Sequence, residues 1–291
     1  MNEEKNISRE LFKGIFLLVI GASMLGGSGI FVKLSDSSPS LIAFYRSLFA
    51  LPFLYAWMKF EERNNSSDII WDKKIIFFLV SGGLCFALDM SIWNWSLSFT
   101  SVANATLMAN IAPVFVVIFG VLFLGYKIEI SFVVTLLLAL LGGFLVILPG
   151  EQIMVFGDSL GVLAAVFYAG YILSIKDLTN ILQPAKTLFL VTLITTLCLL
   201  PISLIEAESL NLSKSEFFIL ISYAIFSQTF AQGLITSGIS KVSAHLSSLV
   251  LLMQPVAAAF YGWFFLQELL SPLQMAGGMI VLVAIYLASR K

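Results

Sequence analysis

Charge, cysteine and histidine are all scarce in this chain, and each scarcity removes a class of protein. Only 11% of the 291 residues are charged while 59% are hydrophobic, and the mean hydropathy is +0.99. A soluble globule of this length needs more polar surface than that. The two cysteines, Cys85 and Cys198, both lie inside apolar runs, so no disulfide framework is expected. A net charge of −1 gives no footing for nucleic acid. With His245 as the lone histidine, no Ser–His–acid set forms, and there are no paired metal ligands and no GxxxxGK[ST] loop. Neither a hydrolase nor an ATP-driven pump is supported. The expectation is a non-enzyme without cofactor or metal.

What the chain has instead is long apolar runs without strict alternation. About 20 apolar residues cross a bilayer, and only helices or closed barrels satisfy the backbone there. Unbroken runs select helices. The spans are predicted at Gly14–Leu34, Leu41–Met58, Ile75–Leu97, Val102–Leu124, Ile130–Leu148, Val155–Ile175, Thr187–Ile205, Phe217–Ile239, Val242–Leu266 and Leu273–Ala288. The first is too long for a cleaved leader and reads as a retained helix.

The chain also repeats itself. At an offset of 142, Ser101, Leu107, Pro113, Val114, Gly120, Phe123 and Leu124 fall on Ser243, Leu249, Pro255, Val256, Gly262, Phe265 and Leu266. Leu140 and Leu145 fall on Leu282 and Leu287 at the same offset. At 143, Gly14, Leu17, Ala22, Gly27 and Lys33 fall on Gly157, Leu160, Ala165, Gly170 and Lys176. Shared register across ungapped helices indicates an internal duplication, with residues 1–150 as the first copy and 151–291 as the second.

Lysine and arginine mark the cytoplasmic side of short loops. Apart from Lys33, Lys214 and the intramembrane Arg46, the basic residues all fall on one set of helix ends, which also carries both termini. Both termini are therefore expected in the cytoplasm. Five spans per copy is an odd number, so the second copy enters the bilayer inverted. Inverted repeats supply two related conformations, open to opposite sides, which is the physical basis of alternating access.

The five-helix units, the short helix ending in Lys33, and the segments TSVANATLMANIAPVF and KVSAHLSSLVLLMQPVAAAFYGWFFLQE resemble the EamA-type repeats of the drug/metabolite transporter superfamily. The resemblance covers nearly the whole chain. In that family the fourth helix of each repeat commonly carries a mid-helix proline and ends in Gly-Glu. Pro113 and Pro255 match the proline; Gln267-Glu268 keeps the acid, whereas Gly125-Tyr126 replaces it with tyrosine. The resemblance implies a ten-helix carrier of small metabolites in a bacterial inner membrane.

Ionisable side chains inside a bilayer are costly, about 2.5–3.5 kcal/mol at mid-helix on insertion scales, and are functional candidates by default. Arg46 and Asp89 qualify. At 1.5 Å per residue they lie roughly 9 and 12 Å from the outer boundary, close enough in depth to pair. A structural salt bridge is one reading; contact with a solute is the other. Asp89 shares a helical stripe with Phe86, Trp93 and Ser96, while Asn94 and Trp95 turn away from it. Thr106 and Asn110 share a face one turn before Pro113. In the second copy Gln228, Gln232 and Thr236 form an i, i+4, i+8 row, Tyr168 and Tyr171 lie three apart, and Gln254 precedes Pro255. The ordinary reading of such polar residues is hydrogen bonding between helices.

Proline removes a donor and frees a carbonyl one turn earlier, so Pro113 and Pro255 are candidate kinks beside a binding cavity. His245 starts the ninth span and reads first as an interfacial polar residue, second as a proton shuttle. The glycine- and serine-rich face from Gly21 to Gly29 allows close, slidable packing.

Together these residues favour an all-α integral membrane carrier for a small organic solute, amino-acid-like or zwitterionic, moving between the two repeats. The candidate solute-binding residues are Arg46, Asp89, Trp93, Asn94, Thr106, Asn110, Tyr168, Tyr171, Gln228, Gln232 and Gln254. The partners are then the solute and lipid. One alternative is an exporter of lipophilic cations or nucleoside-like compounds that uses Asp89 and aromatic rings. The other is a non-transporting scaffold or receptor in which the polar stripes only join helices.

Overall fold

A computed structural model describes residues 2–64, 71–100, 102–147, 154–206, 211–266 and 269–290. Glu268 of the Gln-Glu pair lies outside the described residues, as does the junction of the two copies around 150. Every element among the described residues is helical, and ten stretches are long and apolar enough to cross a bilayer. They coincide with the ten predicted runs, displaced by a few residues at the ends.

The elements, in order, are α1 (Asn2–Leu25), α2 (Ser28–Leu34), α3 (Pro39–Asn64), α4 (Lys73–Ser96), α5 (Val102–Ala109), α6 (Ala112–Leu124), α7 (Ile130–Ile147), α8 (Val155–Thr179), α9 (Pro184–Glu206) and α10 (Lys214–Tyr223). A π-helical segment, Ala224–Ala231, follows, then α11 (Gln232–Ile239), α12 (Ala244–Val250), α13 (Met253–Leu266) and α14 (Pro272–Ser289).

Local chemistry sets the ends. Asp72 caps α4 by accepting from the Ile75 amide at 2.8 Å, Ser213 caps α10 through the Glu216 amide at 3.2 Å, and Ser271 with Gln274 forms a reciprocal capping box on α14. Pro39, Pro184 and Pro272 open α3, α9 and α14, where a missing amide proton costs nothing. Gly125, with φ of +66°, closes α6 in the left-handed conformation. The next residue, Tyr126, folds its ring against Gly120, so the tyrosine that stands in place of the acid packs on its own helix. Burial pushes the Tyr126 phenol up from its ordinary value.

Helices of the two copies alternate in space. α4 packs along α8, α3 along α9, α7 along α14, and α1 along α11. Close approach at glycine makes this possible. A Cβ on Gly142 would stand 2.7 Å from the Gly277 carbonyl oxygen, and one on Gly277 would stand 2.6 Å from that of Gly142. Gly21 sits the same way against Ala231 and Ile235. Where lipid gives no hydrophobic drive, such contacts hold helices by dispersion.

The antiparallel pair α3 and α9 is fastened at both ends by one motif used twice. Glu61 Oε2 accepts from the Ala185 amide at 2.9 Å, and Glu206 Oε2 accepts from the Ser40 amide at 3.1 Å. An offset of 145 carries Pro39, Ser40 and Glu61 onto Pro184, Ala185 and Glu206. Each carboxylate therefore caps the start of the other copy's helix, at opposite faces of the molecule.

Three spans are broken. The first is interrupted at Gly26–Gly27, the fourth at Asn110–Ile111 and the ninth at Leu251–Leu252. Pro113 and Pro255, the candidate kinks, lie in the first turn of a new helix, α6 and α13, where the ring clashes with nothing behind it. The fourth break falls just after Ala109 and the ninth begins at Leu251, the residues whose carbonyls proline was expected to free.

Candidate functional site

The three breaks meet. A Cβ on Gly26 would stand 2.6 Å from the carbonyl oxygen of Gln254, so the broken first span lies directly on the broken ninth. Around this junction is a central cavity with about 780 Å³ of empty space, counted to its open mouth. Leu25, Gly26, Ser28 and Gly29 form one wall; Phe86, Asp89, Met90 and Trp93 of α4 form another. Thr106, Ala109, Asn110, Ala112 and Pro113 enter from the fourth span, and Ser248, Leu251 and Gln254 from the ninth. Arg46, Tyr168, Ile172 and Gln232 complete the lining. Both copies contribute.

Arg46 is buried on α3. Its Nη1 donates to the Tyr223 hydroxyl at 3.1 Å, and its guanidinium carbon lies 5.0 Å from the Tyr223 ring and 6.0 Å from the Phe86 ring. Tyr223 in turn stacks on Phe31 at 5.2 Å. Each cation–π contact of this kind is worth about 0.5–2 kcal/mol, which offsets only part of the cost of burying the charge. Nε of Arg46 has no partner. Arg46 and Asp89 face the same cavity but form no ion pair, and no hydrogen bond reaches the Asp89 carboxyl among the described residues. The salt bridge that matching depth allowed is thus absent, and two ionisable groups line one cavity without meeting.

A column of rings backs the site. Phe86 stacks on Tyr171 at 4.2 Å, and Tyr171 on Tyr168 at 5.8 Å. The Tyr168 hydroxyl lies beside Gln232 and the Tyr171 hydroxyl beside Thr236, yet both hydroxyls are buried without a well-formed hydrogen bond. Such orphaned groups cost roughly 1–3 kcal/mol each, and in native proteins they concentrate where something else binds.

Of the residues singled out in the sequence, Arg46, Asp89, Trp93, Thr106, Asn110, Pro113, Tyr168, Gln232 and Gln254 line this cavity. Asn94, Tyr171, Gln228 and Pro255 do not. Asn94 donates to the Pro39 carbonyl at 2.8 Å and ties α4 to the start of α3. Tyr171 stands behind the wall in the ring column. Gln228 donates to Thr192 Oγ1 at 3.1 Å. Its separation from Gln232 follows from the π-helical segment, whose wider turns rotate Gln228 off the row that regular spacing predicts. Pro255 packs buried in the first turn of α13. His245 meets Ser243 at 3.0 Å and the Phe132 ring edge at 4.8 Å, away from the cavity.

Sequence reasoning missed Tyr223, Ser28 and Ser248. Ser248 carried a faint signal, a hydroxyl one turn after His245. Ser28 was legible only as a small residue; its hydroxyl meets Ser227 at 2.9 Å. Nothing in the sequence pattern connects Tyr223 to Arg46, which comes from the other copy.

Ten apolar helices in two inverted repeats, with a polar cavity between them, define an integral membrane protein of the transporter class. Its family is equally plain. The EamA-like transporter family model matches twice, over residues 12–148 and 155–290, and the chain belongs to that family. The chain is similar to the pseudopaline exporter CntI of Pseudomonas aeruginosa (strain UCBPP-PA14), 25% identical over 96% of this chain and 97% of that one. An uncharacterized transporter of Archaeoglobus fulgidus is 24% identical over 94% and 95% of the two chains. The uncharacterized transporter YxxF of Bacillus subtilis is 25% identical over 89% and 84%. One solved crystal structure shares the fold with a TM-score of 0.76 at 14% identity, covering 98% of this chain and 97% of that one.

Proposed function

We propose that this protein is a secondary carrier that moves a small zwitterionic metabolite, amino-acid-like in its charges, by alternating access through the central cavity. The observation that supports it most is the presence of Arg46 and Asp89 in one cavity without an ion pair between them. A solute with both charges satisfies both groups, whereas a solute with one leaves the other buried and uncompensated. Inversion of the two copies supplies the pair of end states, and the three broken spans at their seam are the elements suited to rearrange. A relative similar along the whole chain and named as an exporter supports a transport role. The distribution of lysine and arginine supports an orientation with both termini in the cytoplasm, and the family resemblance supports a bacterial inner membrane.

The test is solute movement. Purified protein reconstituted into vesicles, loaded with a panel of labelled metabolites, is expected to exchange at least one zwitterion. Vesicles that exchange nothing, together with full stability of a variant in which Arg46 and Asp89 are both replaced by apolar residues, would point to a scaffold instead. A carrier of lipophilic cations draws on the rings of Phe86, Trp93 and Tyr168 beside Asp89. It leaves the buried Arg46 without an anion and is the weaker reading.

A further inference from the structure

Three polar side chains from three helices reach the cavity nine-tenths or more buried and lack partners there. Arg46 is 6% exposed with Nε free, Tyr168 is 9% exposed with its hydroxyl free, and Gln232 is 1% exposed with Oε1 free. They come from α3 in the first copy and from α8 and α11 in the second. Arg46 Nε and the Tyr168 hydroxyl are donors, and the Gln232 amide supplies a further donor from its other end. The complement of Arg46 Nε and the Tyr168 hydroxyl is an acceptor with negative charge; the free Gln232 oxygen is itself an acceptor, and Gln232 can join them only through its amide nitrogen. On the α4 wall of the same cavity stands Asp89, an acceptor beside Trp93 and one turn from Phe86, with no hydrogen bond from the protein among the described residues. Its complement is a cationic donor.

Packing fixes the cationic group of the cavity. Arg46 is clamped between the Phe86 and Tyr223 rings and held by the Tyr223 hydroxyl, so its guanidinium is fixed to one wall. Fixed donors and a fixed acceptor read a molecule's orientation as well as its composition.

Resting on the carrier reading above, we propose that the cavity is a two-pole site. Arg46, Tyr168 and Gln232 receive the carboxylate of the solute, and Asp89 with Trp93 receives its ammonium. The solute lies in one orientation, its acid toward the junction of α3, α8 and α11 and its amine toward α4. Each pole rejects, by its own unsatisfied group, the analogue that lacks the matching charge. A site built around buried polar groups discriminates strongly against a ligand that leaves them unpaired.

The experiment uses the full chain in vesicles and sets of three labelled probes on one skeleton: each common amino acid, the amine left by removing its carboxylate, and the acid left by removing its amine. Wild-type protein is expected to exchange at least one amino acid about 10-fold or more faster than its amine and its acid. Arg46→Gln is expected to abolish the preference over the amine and keep the preference over the acid. Asp89→Asn is expected to do the reverse. Should Arg46→Gln fail to fold, Tyr168→Phe keeps the ring and carries the test, narrowing the preference over the amine alone.

Equal loss toward all three probes in both variants would overturn the two-pole assignment, as would a wild type that accepts amine or acid as readily as amino acid. If no amino acid moves but another labelled metabolite does, the poles are wrong and the carrier reading survives. If no solute of any kind moves, the carrier reading itself falls.

Discussion

Arg46 and Tyr223 belong to different copies of the duplicated unit, and the tyrosine holds the arginine twice, by its hydroxyl at 3.1 Å and by its ring face at 5.0 Å. Tyr223→Phe removes one hold and keeps the other. Losing a hydrogen bond to a charged group costs about 1.5–3 kcal/mol. In a positioned site that loss is expected as a rise of roughly 10-fold in KM for an amino acid, with kcat changed far less. A fall in kcat with KM unchanged would mean that the tyrosine serves packing alone.

The matched caps on α3 and α9 give a second expectation. Glu61→Ala and Glu206→Ala each remove a helix-end acceptor, at a cost of about 0.5–2 kcal/mol. Thermal unfolding in detergent is expected to drop for both by similar amounts. Glu206 also accepts from the Trp95 indole at 3.0 Å, so only the second variant is expected to shift tryptophan emission.

Adjacent glycines in α7 are expected to behave oppositely. Gly142 faces the Gly277 carbonyl with no room for a methyl group, while a Cβ on Gly143 meets nothing within 4 Å. Gly142→Ala is expected to destabilise by about 1–3 kcal/mol through overpacking. Gly143→Ala is expected to be neutral or to stabilise by up to about 1 kcal/mol, because alanine is the better helix former. Unfolding curves of the two variants side by side decide this.

Gln228 and Gln232 separate packing from binding. Gln228→Leu leaves Thr192 without its donor and is expected to lower stability by about 1–2 kcal/mol while KM stays within twofold. Gln232→Leu alters the cavity wall and is expected to raise KM at least severalfold at near-normal stability. Equal effects of both on KM would contradict the rotation imposed by the π-helical segment.

The spans were legible in the sequence because bilayer thickness dictates an apolar run of fixed length, and the duplication was legible because register survives where identity fades. Asp89, Trp93 and Arg46 could be found by the cost of placing them in lipid. Periodicity turned Asn94 away from the Asp89 stripe but did not name its partner, and it could not sort Gln228 from Gln232. Asn94 turns to a carbonyl at the start of the preceding span, and Gln228 sits in a π-helical segment whose turns break the i, i+4 rule. The prolines announced a discontinuity, but whether a helix bends or ends depends on what packs against it, and at the ninth span that is Gly26 of the first.

One asymmetry remains inside the symmetric frame. Both ionisable groups of the cavity, Arg46 and Asp89, come from the first copy, and the second copy answers with Tyr168, Gln232, Ser248 and Gln254, all neutral. In the alternating-access cycle proposed above, swapping the outlines of the halves would move these groups to a new depth without restoring the original electrostatic energy. A machine of that design would idle unevenly, one of its two resting shapes lying lower than the other before any cargo arrives.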